Sequence, residues 1–179
     1  MGTRLDAVGG GVIVPVVSGI VVADTLDYEL IRPNDTTAYA VGDWVADATN
    51  GQAVIRNIAS HPGGSFYITS IEVQGGNTAE VWQPKVALYQ RPRATVPADN
   101  AAWTFTYLVG RQIGLLRDYT LPLLAAYGTN DRTVLTGQSD VCRCAPDSSD
   151  VYLDLITNTI FTPAALKRYV VRVSIVRLD

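Results

Sequence analysis

The chain has 179 residues, 47% of them hydrophobic and only 17% charged, with a formal net charge of -3 and two lysines, Lys85 and Lys167. That is the length of one domain, able to bury roughly 70% of its extended-chain surface without a disulfide or metal staple. The acidic balance speaks against nucleic-acid binding, which draws most of its affinity from neutralised phosphates, and no apolar stretch approaches the ~20 residues of a membrane span.

Residues 1–11 end in Gly9-Gly10-Gly11 and read as a mobile lead-in. The apolar stretch 12–23 is interrupted by Pro15 and Gly19, has a lone Arg4 ahead of it and lacks a clear small-x-small cleavage site, so it does not read as a secretion signal. Val12, Val14 and Val16 fall in an extended segment whose proline fits either an edge strand or an arm lying on another surface. The expected division is therefore an N-terminal arm or edge strand over 1–23 and a single domain over 24–179.

From Leu26 the alternation is clean: Leu26, Tyr28 and Leu30 share one face and Asp27 and Glu29 the other, until Arg32-Pro33-Asn34-Asp35 stops the strand. Residues 39–47 and 52–58 flank Asn50-Gly51, the dipeptide of a type I′ turn, and predict a hairpin. Residues 63–90 form the expected centre of a sheet. Their two arms, 65–74 and 84–90, read as antiparallel partners, and the apolar parity changes from Phe66 and Ile68 to Ile71 and Val73, which predicts a bulge near Thr69-Ser70.

Residues 91–100 are proline-spaced and read as a crossing connection, and strands are expected over 103–107 and 111–116. Residues 121–127 fit a helical turn or an extended core segment, and pattern does not decide between them. A strand is expected over 151–157, then a single helical turn with Thr162 as N-cap and Pro163 in the first position. The chain closes on Tyr169, Val171, Val173 and Ile175 facing inward, with Arg168, Arg172 and Ser174 outward. Roughly seven to nine short strands without a long amphipathic helix predict an all-β protein, an antiparallel β-sandwich or jelly roll with an extended N-terminal arm.

Catalytic chemistry has few groups to use. His61, the one histidine, precedes Pro62 in a loop, and no Gly-x-Ser-x-Gly elbow accompanies it. Metal-binding jelly rolls of the cupin type need several histidines. Cys142 and Cys144 stand one residue apart, a spacing that strains a disulfide and supplies only half of a tetrahedral zinc site. Asp147-Ser148-Ser149-Asp150 reads as a polar turn and not a calcium loop, and Gly9-Gly10-Gly11 lacks the strand-to-helix context of a phosphate cradle. The Asn34-Asp35-Thr36 triplet is of a kind that arises by chance. No enzyme activity, cofactor or metal is expected.

The sparse charge, against roughly 25% in an average globular chain, points to a surface covered by other protein, although a larger core gives the same count. Residues 1–90 hold four basic against nine acidic side chains and residues 91–179 ten against eight; copies could meet head to tail, or both halves are solvated. Trp44 reads as core or sheet edge and Trp103 as core. Trp82, in the polar loop 77–83, is either an exposed anchor for a partner or folded back on its own sheet. Arg91 and Arg93 alternate along the crossing connection, where they meet a partner's carboxylates or remain solvated. Val12, Val14, Val16, Trp82, Arg91 and Arg93 are thus the interface candidates.

Tyr39-x-x-Gly42-Asp43, Gly63-Gly64-Ser65 with Ile68-x-Ser70-Ile71, Pro84-x-Val86-x-Leu88-Tyr89, Pro92 and Asp99-Asn100 together resemble the capsid decoration, or cement, proteins of tailed bacteriophages. The likeness covers residues 36 to 117, with long segments outside it at both ends. It implies a jelly-roll or related sandwich, a homotrimer bound to the major capsid protein on the virion exterior, where capsomers meet, and no catalytic residues. The rival readings are a carbohydrate-binding sandwich that stacks sugars on Trp82 and loop tyrosines, a phage tail or baseplate protein, and a hydrolase built around His61.

Overall fold

Alternating side chains make the strands, and pairing partners then decide which face is wet. The computed structural model describes residues 22–48, 51–76, 79–104 and 113–178; Val12, Val14 and Val16 lie outside these. In chain order the strands are β1 (Val22–Ile31), β2 (Trp44–Val45), β3 (Ala53–Ile55), β4 (Ser65–Gly75), β5 (Pro84–Tyr89), β6 (Leu115–Thr120), β7 (Ala125–Tyr127), β8 (Asn130–Arg143), β9 (Val151–Thr157) and β10 (Arg168–Leu178). They form two antiparallel sheets, β1-β10-β4-β8-β7 and β2-β9-β5-β6, with β3 following β2 along β9. The expected all-β sandwich is what forms.

β1 and β10 pair as their alternation predicts, with Leu26 opposite Val173 and Leu30 opposite Tyr169, while Asp27 and Glu29 stay exposed. The expected bulge is present too. The register of β4 shifts between Ile68 and Ser70 against β8, and that of β10 between Ser174 and Ile175 against β4, so Phe66, Ile68, Ile71 and Val73 all point inward despite the parity change.

Several expectations are corrected. β4 and β5 are not partners: β4 lies between β10 and β8, and β5 between β9 and β6 in the facing sheet. The connection between them carries Trp82 into the core, which takes the chain across the sandwich instead of turning it back on itself. Asp47 and Gly51 form an isolated bridge, yet β2 and β3 pair with β9 and not with each other, because β9 offers both of them one open edge. Residues 121–127 run into β7; of the strands expected over 103–107 and 111–116, residues 105–112 lie outside the described residues, and β6 takes up Leu115 and Leu116. Where a helical turn was expected over 162–167 there is a tight turn with Leu166 at φ +55°.

Leu88, Leu153 and Leu155 of one sheet meet Ile71, Val173 and Ile175 of the other in the sandwich core. The second sheet also buries its outer face, where Ala87, Tyr89 and Ile156 pack with Trp44 and Ile113, flanked by Trp103. The connection after Tyr89 covers that face and is pinned by charge. Arg93 donates to Asp154 Oδ2 from Nε at 2.8 Å and from Nη2 at 2.6 Å, Trp103 Nε1 donates to the same oxygen at 3.0 Å, and Gln52 Nε2 donates to Oδ1 at 3.1 Å.

Asp154 is fully buried, so deleting it strands the Arg93 guanidinium. Asp154→Ala is expected to lower unfolding stability by about 3–5 kcal/mol in urea titrations. Replacing both partners by apolar residues of similar size should recover most of that loss.

Candidate functional surface

One end of the sandwich is closed by a stack of aromatic rings. Trp82 lies parallel to Phe161, with centroids 4.7 Å apart and planes 6° apart. Phe161 stacks on Tyr39 at 5.1 Å, and Tyr169 meets Trp82 edge-on at 5.4 Å. Such pairs add to the apolar burial that holds the loops. The loops are also sewn together by backbone bonds: Tyr39 N–H to Phe161 O, Gly42 N–H to Thr157 O, Leu124 N–H to Trp82 O and Asn158 N–H to Gln83 O.

In extended backbone the neighbour of an inward side chain points outward. Val81, next to Trp82, is 66% exposed, and Ile160, next to Phe161, is 73% exposed. Leu123 is exposed for the same reason, beside buried Leu124, and Val41 is exposed in the turn at Gly42, whose φ is +87°. Val81 and Ile160 line a shallow cavity of about 560 Å³ together with Pro163 and Ala164. This makes an apolar rim on a rigid base.

Buried polar residues brace the same end. Arg32, fully buried, donates to Asp99 Oδ2 at 2.8 Å, to Tyr39 Oη at 2.6 Å and to the carbonyl of Ala164 at 3.1 Å. Tyr39 Oη donates to Asp99 Oδ1 at 2.6 Å, and burial together with that carboxylate pushes the Tyr39 phenol far above its ordinary range.

Of the interface candidates, the structure moves Trp82 and Arg93 inside. Trp82 is 0% exposed, so of its two readings the folded-back one holds and the solvent-facing anchor does not; the stacked Phe161 ring and the Tyr169 ring packed edge-on exclude water from it. Arg93 is spent on Asp154 and Tyr89 Oη, and so is neither solvated nor free for a partner. Arg91 remains at the surface but is engaged by Asp147 through two bonds of 3.0 and 3.2 Å, which hold that carboxyl below its ordinary range. Val81 and Ile160, which reading by residue type passed over, are the exposed members of the same loops. The signal for them was the parity against Trp82 and Phe161.

His61 is exposed in its loop, its Nδ1 3.0 Å from the carbonyl of Pro62. Cys142 and Cys144 are buried free thiols, and burial raises each from 9.0 to about 11. Among the described residues no group of three or more His, Cys, Asp and Glu side chains is placed to hold a metal.

No protein-family model matches this sequence, and no curated protein matches it either. Among solved structures, the chain overlaps a Clostridium thermocellum endo-1,4-beta-D-xylanase 10B containing CBM22-1 and GH10 modules, complexed with xylohexaose. The identity is 11% and the TM-score 0.31, over 87% of this chain but 26% of that one, so the chain spans about a quarter of its length. It also overlaps a chain of Maize Chlorotic Mottle Virus at 10% identity and a TM-score of 0.32, over 90% of this chain and 95% of that one. Superpositions this loose assign neither family nor role.

Trp82→Ala is expected to cost about 3–5 kcal/mol of unfolding stability, whereas Val81→Ser should leave the urea midpoint nearly unchanged. The folded state keeps protons on Cys142 and Cys144 that an unfolded chain releases above about pH 9. Their contribution is therefore fully present below that pH and is lost as pH rises towards 11. Urea midpoints measured from pH 8 to 11 should fall across that window, and neither thiol should be alkylated at pH 8 until the chain unfolds.

Proposed function

We infer that this protein works by adhesion, as a non-enzymatic virion structural protein that decorates the capsid of a tailed phage and stabilises it by bridging neighbouring capsomers. The observation that carries the reading is the exposure of the apolar side chains of Val41, Val81, Leu123 and Ile160 on loops that an aromatic plug and buried ion pairs tie together. A pre-organised apolar surface loses little entropy on docking. Arg32, Arg93 and Lys167 are meanwhile committed to buried internal pairs. The likeness of the 36–117 region to cement proteins is what supports the major capsid protein as the proposed partner and the capsid exterior as the proposed place.

A homotrimer would present three rims at once. Simultaneous contacts multiply affinity without any new bond type, and each contact resists separation of the capsomers under pressure from packaged DNA. A specific footprint of this kind buries on the order of 1,200–2,000 Å². Purified protein mixed with undecorated capsids of its own phage should co-sediment with them, and its mass in solution should be that of a trimer. Val81→Asp combined with Ile160→Asp should weaken co-sedimentation by at least tenfold with no change in the urea midpoint; wild-type protein that ignores capsids would overturn the reading.

A second reading has its own observation. On the outer face of the first sheet a groove of about 500 Å³ is flanked by Tyr127, 66% exposed, with Glu29, Gln74, Asn130, Arg132 and Arg168 around it. An open ring beside planar polar groups suits a saccharide. Glycan-array binding that disappears in Tyr127→Ala would favour this carbohydrate-binding role over capsid decoration.

A further inference from the structure

Lys167 and Asp131 are both 0% exposed, and Nζ donates to Oδ2 at 2.9 Å. Asp131 is the second residue of β8, and Lys167 immediately precedes β10. Gly75, at the end of β4, faces both strands, in register with Asp131 on one side and Tyr169 on the other. A Cβ built at Gly75 would lie 2.0 Å from Asp131 Oδ1 and 2.8 Å from both Asp131 Cγ and Lys167 Cε. Glycine alone lets the lysine stem and the carboxyl group lie together there.

The surroundings are dry and aromatic. Lys167 Nζ sits 5.7 Å from the centroid of the Tyr169 ring, against which Trp82 packs. Glu80, also buried, turns its backbone N–H onto Asp131 Oδ2 at 2.8 Å, while its carboxylate accepts from Ala164 N–H at 2.6 Å and from the Tyr169 hydroxyl. Asp131 Oδ1 has no hydrogen-bond partner. As a finished ion pair this arrangement is poor, because two charges are desolvated and one acceptor is left unmade.

We propose that Lys167 and Asp131 condense to an intramolecular isopeptide bond between Nζ and Cγ, stapling β8 to the start of β10. A proton passes from the ammonium to the carboxylate, a transfer that desolvation of both charges promotes. The amine nitrogen then attacks Cγ, and the N–H of Glu80 stabilises the negative charge that develops on Oδ2. Of the three ammonium protons one stays on the amide nitrogen and two depart with Oδ1 as water. The positive and negative charges cancel and no oxidant or co-reactant enters.

Oδ2 remains as the amide oxygen, still accepting from Glu80, so the bond removes the buried charges and the orphaned oxygen together. Holding the two groups in contact replaces a bimolecular encounter by a unimolecular step. Gly75 and Asp131 also form part of the wall of the open groove beside Tyr127, which gives the water an exit. Glu80 acts as a positioning residue, since its side chain anchors the loop whose N–H meets Oδ2. The proposal is independent of the capsid role.

The test is the intact mass of the full-length folded protein after incubation. It is expected to be one water below the sequence mass, and a tryptic digest should contain residues 118–132 joined to residues 144–168, uncut after Lys167. Lys167→Arg should retain its full mass. A wild-type chain at full sequence mass, a water loss that maps to other residues, or a water loss that persists in Lys167→Arg would each overturn the proposal. The wild-type measurement decides the matter even if the variant fails to fold.

Discussion

Ion pairs held away from water tie together segments far apart in the sequence, and the loops of this sandwich take their shape from them. Arg32–Asp99 joins the end of β1 to the connection that follows β5, Arg93–Asp154 fastens that connection over the second sheet, and Lys167–Asp131 links the approach to β10 with β8. The first two pairs are wrapped in further hydrogen bonds, as buried charge requires, whereas the third leaves Asp131 Oδ1 without one. A β-sandwich of this size could close its core on aliphatic contacts alone. What the pairs add is definition, because a guanidinium with several partners tolerates few loop conformations.

That definition passes outward through the aromatic plug. Tyr39 belongs both to the Arg32–Asp99 cluster and to the stack with Phe161, so a charge interaction and a packing interaction set one loop. Phe161 and Trp82 carry the same constraint to the loops that expose Ile160 and Val81. An exposed valine on a mobile loop would be ordinary surface. Held on a fixed base beside other exposed aliphatics, it becomes a patch whose burial by a partner is favourable.

The sequence made some of this legible and hid the rest. Alternation in β1 and β10 disclosed both strands and their inward faces, and the parity change in β4 disclosed its bulge. β8, the longest strand at 14 residues, escaped notice, because Asn130-Asp131-Arg132-Thr133 and Gly137-Gln138-Ser139-Asp140 look like turn chemistry. Its strand character comes from pairing along β4, not from its own propensity. Arg93 looked like a surface arginine, and Trp82 fitted an exposed anchor as well as a core ring, for a similar reason: the partners that bury them, Asp154 and Phe161, lie more than sixty residues further along the chain.

Sequence alone determined the all-β class, the positions of the strongly alternating strands and the poverty of catalytic groups, since each is written in local periodicity or in the inventory of side chains. Tertiary structure alone decided which strands are neighbours, that β4 and β5 belong to opposite sheets, and which member of each loop pair faces water. It also decided that Lys167 meets Asp131 over Gly75. The reason is physical: a strand's period is a property of consecutive residues, but its partner, and the burial of a single ring or charge, depend on segments that only folding brings into contact.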